Sequence, residues 1–171
     1  KATLGVYITS HPLTQYKEQL RRFATAATTD LVRMTDGSPL RLSGLITHVR
    51  AAPIRSGRSA GKKLYIATVE DFAGAVEALL YPDRMSEGVA PPKPEQVVII
   101  EGSLDRRKQE PSVRIERIVP IDEAPRVYAR EVIIRLRSQP AADVTLPELG
   151  RLCRQHRGGA CAVYLDIVSG D

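Results

Sequence analysis

Between Leu40 and Ile121 the chain alternates short apolar runs with breaks, too closely spaced for long helices and well suited to short strands. The runs are Leu40–Arg50 (LRLSGLITHVR), Lys63–Asp71 (KLYIATVED), Gly74–Pro82 (GAVEALLYP), Glu95–Gly102 (EQVVIIEG) and Ser112–Ile121 (SVRIERIVPI). A tight turn containing Gly74 joins the second and third. A Pro-rich link with room for a helical turn or two joins the third and fourth. In the third run Val76, Ala78 and Leu80 share one face, and Glu77, Leu79 and Tyr81 the other. In the fifth, Val113 and Ile115 point inward, with Arg114, Glu116 and Arg117 outward. The unbroken VVII of the fourth suits a strand buried on both sides. Gly44, inside the first run, marks either a bulge or sharp bend of the kind a small barrel needs to close, or the close approach of another backbone.

This order predicts a mainly β chain with some α. Its centre is a five-stranded Greek-key barrel of the oligonucleotide/oligosaccharide-binding (OB) type over 40–121. A helical connector over 1–39 precedes it and a small β-α-β unit, the start of a further domain, occupies 122–171. Two of the barrel's connections are basic. Arg50–Lys63 (RAAPIRSGRSAGKK) holds five cations and no acid, with Gly57 and Gly61 expected to make it flexible; Asp105–Pro111 (DRRKQEP) holds three adjacent cations. In an OB barrel these two loops flank one groove. Cations there would meet phosphates and release counterions, and aromatic rings would stack on bases. The candidate nucleic-acid-binding residues are therefore Arg50, Arg55, Arg58, Lys62 and Lys63 from the first loop, Arg106, Arg107 and Lys108 from the second, and Arg114 and Tyr65 from the strands. Tyr81, at a strand end before Pro82, reads better as a packing residue. The competing interpretation is a barrel that serves as a protein-interaction module, with its loops docking onto another subunit; the plainest reading of the first basic loop is a solvated hairpin whose charges keep the chain soluble.

The flanks are less specific. Leu13, Tyr16, Leu20, Phe23 and Ala27 recur at helical spacing after Pro12, predicting an amphipathic helix that fades at Thr28–Asp30. After the barrel, Glu131–Leu136 and Ala160–Val168 read as strands. The helix between them has Thr145 and Glu148 as a capping box, Pro147 in its first turn, and Leu149, Leu152, Cys153 and His156 as its buried stripe.

Composition sets bounds. Residues 1–39 carry five Lys/Arg against three Asp/Glu, 40–121 thirteen against ten, and 122–171 seven against seven, for a net charge of +5. That balance is compatible with a polyanionic partner without requiring one. Two cysteines, Cys153 and Cys161, are too few for a disulfide scaffold and read as reduced thiols of a cytoplasmic protein. No apolar run is long enough to span a membrane. His11, His48 and His156 sit in different elements and make no zinc pattern with the cysteines, and no catalytic constellation is present, so neither enzymatic activity nor a cofactor is expected of this chain. The chain begins without Met and reads as a piece of a longer protein.

Several segments resemble the alpha subunit of bacterial DNA polymerase III. LGVYITSHPL (Leu4–Leu13) is similar to that family's L-G-x-Y-x-[ST]-x-H-P-[LI] segment. Thr68, Glu70, Asp71, Gly74, Glu77, Tyr81 and Pro82 match its OB-domain hairpin, and YAREVIIRL and HRGGACAVYLDI resemble the opening of its C-terminal domain. The resemblance implies a parent that is a DNA-directed DNA polymerase using Mg²⁺, with catalytic aspartates and the sliding-clamp segment upstream of this chain. It further implies a barrel that contacts single-stranded template and packs near upstream polymerase domains, and a C-terminal start that binds the clamp loader's tau subunit. The first loop is more basic, and the link before the fourth strand more Pro-rich, than the family's usual pattern. An error-prone paralogue is a related alternative. An anticodon-binding barrel of an aminoacyl-tRNA synthetase is disfavoured by the flanking segments.

Overall fold

The computed structural model describes residues 12–107, 109–138, 142–159 and 161–169. Most of the Leu4–Leu13 segment and the whole of Lys108 lie outside these. The chain forms two compact units, one ending at Ala124 and the other beginning at Pro125.

The first unit is built on a closed barrel of β1 (Pro39–Pro53), β2 (Lys63–Glu70), β3 (Ala75–Leu80), β4 (Val97–Asp105) and β5 (Ser112–Pro120), in the order β1-β2-β3-β5-β4. All pairings are antiparallel except β3 with β5. This is the predicted OB topology, including a short helix α2 (Pro82–Ser86) in the Pro-rich link, with Pro82 in its first turn where no backbone donor is needed. β1 is long because it serves two neighbours. Residues 39–45 pair with β4 and residues 45–53 with β2, and Leu45 belongs to both ladders. A register shift between Ile46 and His48 accompanies the change of partner.

Two glycines permit the tight corners. A Cβ on Gly44 would lie 2.5 Å from the Glu70 carbonyl oxygen, and one on Gly102 would lie 2.0 Å from that of Arg114. The second sits at the register shift between Glu101 and Gly102. Of the alternatives raised by Gly44, the close approach of another backbone holds at that residue, while the irregularity of the strand falls just beyond it, between Ile46 and His48.

Strand alternation fills the interior. Leu42, Ile46, Val69, Leu80, Val98, Ile100 and Val113 are fully buried in the core, and Ile99 on the opposite face of β4 is fully buried too. Arg114, Glu116 and Arg117 face outward as expected.

The N-terminal segment departs from the single long helix. A 3-10 turn at Thr14–Tyr16 leads into α1 (Lys17–Phe23), which stops when Ala24 turns extended (φ −70°, ψ 147°). Thr25 and Ala26 then donate their N–H groups to the Arg41 carbonyl, and Ala26 bridges Leu42 in parallel. The helical spacing of Ala27 is thus overridden by a β1 edge that needs partners, and a second 3-10 turn (Thr28–Val32) follows. Leu13, Leu20, Phe23 and Leu31 are buried.

The second unit begins in α3 (Ala124–Tyr128) and holds β6 (Glu131–Ser138), α4 (Ala142–Gln155) and β7 (Ala162–Ser169), with β6 and β7 paired in parallel. Because α4 starts at Ala142, Thr145 is inside the helix and not at its N-cap, and Pro147 is interior. The expected buried stripe is open: Leu152, Cys153 and His156 are exposed and Leu149 is half-buried.

Replacing Gly102 with Ala is expected to lower stability by about 2–4 kcal/mol, since a backbone carbonyl has to move to admit the methyl group. A urea denaturation curve with a lower midpoint and unchanged slope checks this.

Candidate nucleic-acid interface

The β1–β2 loop is a defined structure and not a slack one. Ile54 and Lys62 close it, with Ile54 N–H donating to the Lys62 carbonyl at 2.9 Å and Gly61 N–H to the Ile54 carbonyl at 2.9 Å. Turns inside it run from Ala60 N–H to Gly57 O (3.1 Å) and from Lys62 N–H to Ser59 O (3.1 Å). Gly57 and Gly61 hold φ of 85° and 82°, which glycine adopts at little cost. The glycines therefore shape the loop where flexibility was expected of them. Arg55, Arg58, Lys62 and Lys63 are all exposed on it, and among the described residues none has an acid within ion-pair distance.

The β4–β5 loop has the opposite character. Arg106 is a structural tie. Its N–H donates to Asp36 Oδ1 at 2.8 Å, and its guanidinium to the carbonyls of Val32 (3.1 Å) and Met34 (3.0 Å). Those carbonyls end a 3-10 turn and would otherwise lack donors. Arg107 grips both carboxylate oxygens of Asp105 through Nε, at 3.0 and 3.1 Å, and through a further short bond from its terminal nitrogen. Asp105 is buried, at 5% exposure, and Arg114 Nε stands 3.8 Å from it. The Arg107 hydrogen bond, opposed by burial and aided by the two guanidinium charges, lowers the Asp105 carboxyl to about 2. Two of this loop's cations thus have intramolecular partners, although both side chains remain exposed.

The strand residues complete the face. Following the ladders, Arg50 lies opposite Ile66, Ile66 opposite Leu79, and Leu79 opposite Arg114. This outward row sets two nearly buried aliphatic side chains, Ile66 (6% exposed) and Leu79 (2%), between two arginines. Arg50 also pairs with Glu77 at 2.8 Å, but both are exposed and such pairs contribute little. Tyr65 shares the register of Ala67 and Val69 and packs, half-buried, against the core. It belongs to the opposite side of β2 from the outward row. Arg114 lies over the Tyr81 ring, 5.1 Å from its centroid.

Sequence reasoning missed the acids that fix this region. Asp71 accepts from Thr28 N–H (2.7 Å) and Thr28 Oγ1 (2.7 Å), and from the Ala73 (2.7 Å) and Gly74 (2.9 Å) amides of its own turn. Burial pushes its carboxyl up, but these hydrogen bonds together hold it below its ordinary value. Gly74 fits beside it because a Cβ there would be 3.2 Å from Thr28 Oγ1. The Asp-x-x-Gly spacing was the available signal: an Asx-type turn whose carboxylate has capacity to spare. Among the described residues no three His, Cys, Asp or Glu side chains converge as metal ligands would, and no helix is long and apolar enough to cross a membrane.

Residues 40–121 match the family described as an OB-fold nucleic acid binding domain. The chain is similar along its whole length to DNA polymerase III subunit alpha of Pseudomonas fluorescens, at 28% identity over 173 residues, covering 100% of this chain and 14% of that protein. It is similar to the same subunit of Escherichia coli K12 at 27% over 168 residues, covering 96% of this chain and 14% of that protein. The resemblance drawn from separate motifs therefore holds across the chain, which spans about one seventh of the length of these relatives. Among solved structures, the asparaginyl-tRNA synthetase of Pyrococcus horikoshii matches with a TM-score of 0.39 and 19% identity, covering 56% of this chain and 22% of that one. The hypothetical protein ygiW of E. coli matches with a TM-score of 0.38 and 17% identity, covering 56% of this chain and 87% of that one.

Asp105→Asn is expected to cost about 1–2 kcal/mol at neutral pH, after allowance for the exposure of its arginine partners. Because the folded-state value is depressed from 3.8 to about 2, the contribution is full above pH 4 and fades as pH falls toward 2. Urea midpoints of parent and variant should therefore converge only at acid pH.

Proposed function

We propose that this chain is a non-catalytic region of a replicative DNA polymerase alpha subunit, in which the OB barrel holds single-stranded template largely without regard to sequence. The observation that carries this is the β1–β2 loop. It offers four exposed cations on a hydrogen-bonded scaffold beside the outward β2–β3 face, in a barrel that matches a nucleic-acid-binding family. Arg55, Arg58, Lys62 and Lys63 meet phosphates. Arg50, which has only an exposed acid partner, adds to them as DNA approaches. Arg106 and Arg107 instead hold the second loop in shape. Lys108, outside the described residues, retains the phosphate role expected of it. Catalysis, deoxynucleoside triphosphates and Mg²⁺ belong to the parent's upstream domains, as does the sliding-clamp contact, and the setting is the bacterial cytoplasm.

A second role falls to the C-terminal unit. Val132, Ile133, Val163, Tyr164, Leu165 and Ile167 leave large apolar surface exposed on both faces of the β6–β7 sheet. Exposed apolar area of that kind favours a protein partner, and the clamp loader's tau subunit fits the resemblance.

Titration of labelled oligo(dT) across a salt series tests the DNA role. The four loop cations alone predict a log–log slope of about −3, and with Arg50 and Lys108 about −4, or roughly 50- to 300-fold weaker binding from 50 to 200 mM salt. Changing Arg55, Arg58, Lys62 and Lys63 together to Ala should remove most of that slope. Arg106→Ala should leave the slope intact while lowering stability by about 1 kcal/mol. A flat salt series, or no binding at low salt, would leave the barrel as a protein-interaction module.

A further inference from the structure

We infer that the base-stacking subsite of this barrel is Arg114 mounted on Tyr81 beside Asp105, and that the Tyr65 ring is not part of it. The inference deepens the single-strand-holding role and rests on it.

Four observations converge. Arg114 stands over the Tyr81 ring at 5.1 Å, while nearly half its side chain (47%) stays exposed. Its Nε stands 3.8 Å from the buried Asp105 carboxylate, an ion pair longer than a hydrogen bond, so the guanidinium is drawn to that side and backed by a ring. Asp105 is itself fixed by Arg107 through hydrogen bonds to both carboxylate oxygens. Finally, Arg114 borders Leu79 and, beyond it, Ile66 in the same cross-strand row; both aliphatic side chains are covered, which leaves Arg114 as the exposed group at that end of the row.

The chemistry favours the plane of a base over a phosphate. A guanidinium stacks on π systems through its flat face, and one already stacked on a phenol loses little freedom when a base joins the pile. Two arginines share one carboxylate here, which reduces the local charge a phosphate would seek; phosphate attraction is stronger at the unpaired loop cations. The ligand class is an unstacked base of a single strand, without hydrogen-bond selection among bases. Tyr65 is excluded because its ring packs against the core from the other side of β2.

The test compares oligo(dT) with an abasic strand of equal length, bound to the full chain at low salt. Arg114→Lys keeps the charge and loses the planar group. It should weaken dT binding roughly 5- to 50-fold, leave the abasic strand unaffected, and preserve the salt slope. Tyr81→Leu should give the same pattern and Tyr81→Phe should retain parental discrimination, while Tyr65→Leu should leave the dT-to-abasic ratio unchanged. Urea midpoints identify any variant that fails to fold, and Tyr81→Phe keeps the ring in place as a conservative control. Equal losses on both strands for Arg114→Lys, or a ratio that collapses only with Tyr65→Leu, would overturn the stacking subsite while the phosphate-holding role stands. Absence of binding to either strand by the parent chain would overturn both.

Discussion

One strand with two sets of partners governs this molecule. β1 satisfies β4 with its first half and β2 with its second, and the backbone has to turn sharply where the partner changes. A side chain at position 44 would collide with the Glu70 carbonyl, so the closure depends on a residue with no Cβ. Closure then leaves the first half of β1 to accept the N-terminal segment, whose Thr25 and Ala26 bond Arg41. It also sends the second half out into the basic hairpin loop. Core, connector and loop placement all follow from that one bend.

The electrostatics follow from where acids happen to stand. The two basic loops look alike by composition, yet among the described residues the first has a carboxylate only at its Arg50 end, on exposed Glu77, and the second has Asp36 and Asp105 at hydrogen-bond distance. Buried Asp105 requires its arginines, because a carboxylate out of water is costly without charge-assisted partners. The same pairing spreads two guanidinium groups into a fixed arrangement beside Tyr81. Cations are thus divided between those that shape the surface and those that remain available to a polyanion.

The barrel was legible because it rests on short-range patterning. Alternation along β3 and β5, the unbroken VVII of β4 and the Gly74 turn each carry their signal within a few residues. What escaped were ties between residues far apart in sequence. Nothing local marks Thr28 as the partner of Asp71, or Val32 and Met34 as the acceptors of Arg106. The N-terminal helix was overextended because Ala27 keeps the spacing of Leu20 and Phe23, whereas a strand edge captured Ala26. Tyr65 was placed on the groove because an aromatic in a β2 strand suits that role. Its register with Ala67 and Val69 places it on the inner side, which depends on strand pairing. The stripe on α4 was legible as a pattern but is largely uncovered in the folded unit.

The Arg106 and Asp71 ties reach into residues 28–36, upstream of the first barrel strand. A boundary drawn at residue 40, where the OB-fold match begins, would therefore sever the acceptors of one loop and the donors to another hairpin. Residues 28–36 act as an outer brace, pinned at the β2–β3 hairpin through Asp71 and at the β4–β5 loop through Arg106.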